Sequence, residues 1–148
     1  DGRGTITEYG RQNTDDGRRV LMADKKKIFI VDDDEIELRG LTRLLEISGF
    51  QVGSTQNPQN ALSMVTFYRP GLILLDLITP SLGGFEVCDL LASCAATRDI
   101  PILIVSAVGG FKDIKKIVHE RHSQNIVGCM AKPYEFKDLL AEINRVVK

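Results

Sequence analysis

Residues 28–35 read Ile-Phe-Ile-Val-Asp-Asp-Asp-Glu, and residues 72–76 read Leu-Ile-Leu-Leu-Asp. Each is an unbroken apolar run that closes on acid. A strand with one wet face alternates apolar and polar residues. A strand buried on both faces does not, and such strands belong to parallel sheets covered by helices. Working outward, Leu38, Leu41, Leu44 and Leu45 recur at helical spacing after the first run and stop at Gly49. Phe50–Gly53 reads as a short strand. Asn57 is placed to cap a helix with Pro58 at its first position, and Ala61, Leu62, Val65 and Tyr68 form that helix's apolar face.

The same alternation continues after Leu72–Leu75. Phe85, Cys88 and Leu91 predict a third helix, and Ile100–Val105 a fourth strand with Pro101 near its start. Ile114, Ile117 and Val118 predict a fourth helix and Ile126–Ala131 a fifth strand. Phe136, Leu139, Leu140, Ile143 and Val147 trace a final amphipathic helix. A five-fold βα alternation with right-handed crossovers predicts an α/β fold: a flavodoxin-like, doubly wound, five-stranded parallel sheet of order 2-1-3-4-5. Ligand sites in such sheets lie at the carboxyl ends of strands 1 and 3, where both quoted runs end in aspartate.

Composition limits the alternatives. The chain has 148 residues, 43% hydrophobic and 26% charged, with 19 basic against 20 acidic residues for a net charge of -1. These values exclude a disordered chain or a fibre, and direct nucleic-acid binding through a whole-chain field is not expected. No uncharged apolar run approaches the ~18 residues of a membrane span, so no membrane partner is expected. Three cysteines without a CxxC pair (Cys88, Cys94 and Cys129) predict small core fillers in a reducing, cytoplasmic setting rather than disulfides or a zinc site. His119 and His122 fall in the polar stretch HERHSQN and predict a solvated helix face.

Residues 1–24 hold four of the 13 glycines and only six apolar residues. They are expected to form a flexible leader or linker, with the domain proper at 25–148. A natural start at Met22, or processing or excision that leaves Asp1 first, would account for this stretch.

The strand ends carry the chemistry. Asp32, Asp33 and Asp34 close strand 1, and Asp76 closes strand 3. Gathered carboxylates repel one another and raise each other's pKa. Capping a helix explains one of them, Asp33 or Asp34, but not all four. Hard oxygen ligands in this number suit Mg²⁺. Strand 4 ends in Ser106-Ala107 and strand 5 in Lys132-Pro133, which adds a hydroxyl and an ammonium to the same edge. Together they equip the edge for a small anion that also touches a metal.

The segments IFIVDDDE, LILLDLITPSLGGFEV, PILIVSA and CMAKPYE resemble the receiver domain of bacterial two-component response regulators, over about residues 26–148. The resemblance implies that Asp76 accepts a phosphoryl group from a phosphohistidine on a sensor histidine kinase or a phosphotransfer protein. It implies Mg²⁺ ligation by Asp33, by Asp32 directly or through water, by Asp76 and by the backbone carbonyl of Ile78. Ser106 would bond the phosphoryl oxygen, Lys132 would pair with it, and the Lys132–Pro133 bond would be cis. Ile78 and Val108 would border the path of the hydrolytic water. Cys129 stands where the family often has a switching aromatic residue, and the 106–132 stretch is about one helical turn longer than usual. In the family that face commonly serves an output partner, here unidentified, or a dimer mate, so a homodimer is among the expectations; a simple insertion in a tolerant loop is the equal alternative. Gly83 replaces a common aspartate, with no function attached.

Three functions compete. The first is a phosphorylation-switched signalling module with no output domain in this chain and no enzymatic role beyond its own phosphorylation and dephosphorylation. The second is the receiver segment of a hybrid histidine kinase or multidomain regulator. The third, a Mg²⁺-dependent aspartyl-phosphate phosphatase, is disfavoured because VDDDE is followed by no room for a cap domain. A receiver that binds without being phosphorylated is disfavoured by the presence of Asp33, Asp76, Ser106 and Lys132.

Overall fold

The computed structural model describes residues 26–77, 84–107 and 125–147, together with Lys116 and His119. In chain order the elements are β1 (Lys27–Val31), α1 (Glu35–Ile47), β2 (Gln51–Thr55), a 3-10 turn (Pro58–Asn60), α2 (Ala61–Tyr68) and β3 (Leu72–Leu77). There follow α3 (Gly84–Ser93), β4 (Ile102–Ala107), β5 (Ile126–Lys132) and α4 (Phe136–Val146). All strand pairs are parallel and the sheet order is β2-β1-β3-β4-β5, as the alternation predicted.

The continuous apolar strands split by parity between two cores. Phe29, Val31, Ile73, Leu75, Ile102 and Ile104 face α2 and α3, packing on Ala61, Val65, Phe85, Cys88 and Leu91. Ile28, Ile30, Leu72, Leu74 and Leu103 face α1 and α4, packing on Leu38, Leu45, Leu139 and Ile143. The apolar runs of β1, β3 and β4 therefore bury both faces, while β2 and β5 at the edges of the sheet are half-buried.

Local signals explain both ends of α1. Asp34 caps α1, its carboxylate accepting the amides of Ile36 at 2.9 Å and Glu37 at 3.1 Å. At the other end Gly49 adopts φ 101°. The Phe50 amide bonds the Leu45 carbonyl and the Gly49 amide bonds the Glu46 carbonyl, the paired closure of a Schellman cap.

Several expected boundaries move. Asn57 accepts the Gln59 amide at 2.9 Å and so caps the 3-10 turn, and α2 starts only at Ala61. β2 begins and ends later than Phe50–Gly53 because its ladder pairs Lys27 with Gln51 and Val31 with Thr55. β4 likewise runs over 102–107 rather than 100–105: the Ile73 amide bonds the Pro101 carbonyl and the ladder continues through Ser106. Of the cysteines only Cys88 is a fully buried filler. Cys129 is half-buried against the α2/α3 core, and Cys94 lies past the end of α3, where its carbonyl accepts the Thr97 and Arg98 amides. Residues 1–25, Ile78, Gly83, Val108, His122 and most of the expected fourth helix lie outside the described residues. Lys116 and His119 are helical and exposed.

Candidate functional site

The site forms where β1, β3 and β5 end, over the first turn of α1. Asp32 follows β1 directly and is buried, 5% exposed. One of its oxygens accepts the Asp34 amide at 2.9 Å. Asp76 lies in the row of Leu72 and Leu74 along β3, and its side chain is 11% exposed. Lys132, the last residue of β5, donates from Nζ to Asp76 Oδ2 and to Glu37 Oε1. The bond that follows it, Lys132–Pro133, is cis. Carboxylate oxygens of Asp32, Glu37 and Asp76 lie within 4.8 Å of one another. They open onto a cavity of about 30 Å³, also lined by Val105, Lys132 and Tyr134, with room for a water-sized occupant.

The electrostatics follow from this crowding. Burial pushes the Asp32 carboxyl up to about 7; the Asp34 amide opposes the rise, while the charge of Asp76 and a hydrogen bond with it add to it. Burial also works against the charge on Lys132, but its bonds to Asp76 and Glu37 outweigh that and hold its pKa above the ordinary lysine value. Burial raises the Tyr134 phenol, against the nearby Lys132 charge. The site is thus a strongly acidic pocket with one ammonium set among its carboxylates.

The residues singled out from sequence do not all meet. Asp32, Asp76 and Lys132 come together. Asp33 is exposed and lies outside the carboxylate group. Ser106 is 0% exposed and its hydroxyl donates to the Ala107 carbonyl at 3.2 Å. It follows Val105, which stands opposite Asp76 in the ladder. Cys129 pairs with Ile104 on the face turned toward α2 and α3.

Glu37 and Tyr134 were not anticipated. Asp34-x-x-Glu37 has the spacing of a capping box, in which the glutamate would reach back to the cap residue's amide. Here the Asp34 amide is taken by Asp32. Glu37 instead turns to Lys132, and only three-dimensional proximity shows that.

Three carboxylates with hard oxygen donors, one of them buried, fit a small divalent cation. The fold and this edge together define a doubly wound α/β protein with an acid–lysine centre at its switch point. More narrowly, residues 28–144 match the response regulator receiver domain, and the chain belongs to that family. It is 31% identical over 121 residues to Protein PilH of Pseudomonas aeruginosa, covering 82% of this chain and 97% of PilH. It is 31% identical over 125 residues to Response regulator MprA of Mycolicibacterium vanbaalenii, covering 82% of this chain but 50% of MprA. The chain therefore spans about half the length of that relative. A signal receiver domain of a response regulator from Bermanella marisrubri superposes with TM-score 0.72 at 27% identity, covering 84% of this chain and 99% of that one. Among the described residues, no helix is long and apolar enough to cross a membrane.

Proposed function

We propose that the chain is a phosphoacceptor signalling module of the cytoplasm: Asp76 takes a phosphoryl group from a phosphohistidine on a sensor histidine kinase or phosphotransfer protein, and the change alters binding to an output partner. One observation carries this reading. Lys132 is bonded to the Asp76 carboxylate beside buried Asp32, at the carboxyl edge of the sheet.

In the transfer, an Asp76 carboxylate oxygen forms a bond to phosphorus while the P–N bond to the donor imidazole breaks and its electron pair leaves with the ring nitrogen. The transition state is loose, with charge spread over the equatorial oxygens. Asp32 and Asp76 are the residues in place to hold Mg²⁺, with Glu37 beside them engaged by Lys132; Asp33 and the Ile78 carbonyl would be further ligands by family resemblance. Bound there, the ion would neutralise charge on the phosphoryl oxygens. Lys132 supplies a second positive charge from the β5 side. It also holds the Asp76 oxygen in place until attack. The Ser106 hydroxyl exchanges its Ala107 partner for a phosphoryl oxygen. An open groove of about 560 Å³, bordered by Leu41, Leu44, Ala107, Pro133 and Phe136, reaches Lys132 and offers the donor an approach.

The test is phosphoryl uptake. Incubated with Mg²⁺ and a small phosphodonor, the protein is expected to gain one phosphoryl group, and Asp76→Asn to gain none. Labelling at unchanged stoichiometry in the variant would refute the assignment. The half-length match to MprA favours a second reading, in which this receiver is one segment of a longer regulator. The native polypeptide's length, read on an immunoblot, separates the two.

A further inference from the structure

We propose that Glu37 is the positioning residue for Lys132: it anchors the ammonium from the α1 side so that Nζ stays within reach of Asp76. This rests on the phosphoacceptor reading for its role in transfer, but not for its geometry.

Lys132 stands at the end of β5, and Asp76 on β3, with β4 between them. A lysine stem has four rotatable bonds, and confining it costs up to about 2 kcal/mol of rotamer entropy. One carboxylate would leave the ammonium free to swing toward solvent, since the Lys132 side chain is 25% exposed. Glu37 supplies a second contact from another element. It sits three residues after the Asp34 cap, in the first turn of α1, where the cap fixes the backbone. Because Asp32 occupies the Asp34 amide, Glu37 has no competing duty at the helix end. With its side chain 52% exposed, the pair adds little to global stability. Its effect is on where the ammonium is.

The arrangement also predicts how Lys132 behaves when the site changes. A divalent cation at the Asp32–Asp76 carboxylates repels the ammonium. A phosphoryl group on Asp76 moves the acceptor oxygens outward. In both cases Glu37 keeps Lys132 at the rim of the site rather than in solvent.

Two measurements on the whole chain test this. In the absence of metal and phosphodonor, exchange of the Lys132 ammonium protons with water, followed by NMR, is expected to be about tenfold faster in Glu37→Ala. Glu37→Gln, whose amide oxygen still accepts the bond, is expected to stay within about threefold of the parent. At saturating Mg²⁺, phosphorylation by a small acyl phosphate is expected to slow about tenfold in Glu37→Ala and to be mostly restored in Glu37→Gln. An unchanged rate in Glu37→Ala in either measurement, or no rescue by Glu37→Gln, overturns the proposal. If Asp76→Asn is still labelled, the phosphoacceptor reading falls instead, and the proton-exchange measurement decides the role of Glu37 alone.

Discussion

Lys132 reaches Asp76 across an intervening strand. Ala107, not Asp76, is its ladder partner, and Asp76 stands opposite Val105. The ammonium meets the carboxylate only because the long stem leans back over the end of β4. The contact therefore depends on side-chain conformation more than on the sheet, and an aspartate-lysine pair so made can be rearranged without breaking a strand.

Lys132→Ala is expected to leave Mg²⁺ binding intact or somewhat tighter, because an ammonium that competes for the Asp76 and Glu37 carboxylates is gone. It should nonetheless weaken the coupling between phosphorylation and conformation. Amide NMR signals around β4 and β5 report this. A phosphorylation-induced shift as large as the parent's would remove Lys132 from the switch.

Asp32→Asn is expected to stabilise the metal-free protein at neutral pH by about 1 kcal/mol or more. It removes a buried charge held against Asp76 while keeping an oxygen that can accept the Asp34 amide. The same variant should lose most of the stabilisation that added Mg²⁺ gives the parent. Urea unfolding with and without Mg²⁺ checks both; a less stable metal-free variant would contradict the account.

Gly49→Ala tests the fold apart from the site. With φ at 101°, an alanine there is strained, and a loss of about 1 kcal/mol is expected from disturbing the Schellman cap. Phosphoryl uptake should be unaffected under conditions where the variant is folded.

The lifetime of the acyl phosphate is expected to be long. By family resemblance Ile78 and Val108 would flank the incoming water, and neither type of side chain can orient or deprotonate it. Such help is worth about 10²–10⁴-fold. The hydrolysis rate of the phosphorylated parent, against Ile78→Asn and Val108→Glu, is the measurement. Dephosphorylation within seconds, or polar variants that are no faster, would defeat the expectation.

The fold was legible because the central strands report their own burial: IFIV and LILL have no wet face to disguise. Strand order followed from the alternation, and the carboxylates at β1 and β3 followed from the order. What sequence could not show depends on choices between nearby partners. β4 begins at Ile102 rather than Ile100 because its ladders with β3 and β5 start there. Asn57 caps a 3-10 turn because the Asn60 amide closes back on the Asn57 carbonyl at 3.0 Å, three residues away rather than four. Glu37 was hidden because its spacing from Asp34 has an ordinary local explanation, which Asp32 pre-empts. Cys94 looked like core among its neighbours but falls past the end of α3.

The parity of the strands has one more consequence. Leu72, Leu74 and Met130 belong to the α1/α4 side, and the same alternation carries Asp76 and Lys132 with them. Ile102, Ile104 and Cys129 belong to the α2/α3 side, and Ser106 continues that row. The sheet is therefore a partition between the two sides. A protein gripping α1 and α4 stands on the lysine's side of the wall, and one gripping α2 and α3 stands on the serine's. The lysine-bearing face and the serine-bearing face thus end at the same rim.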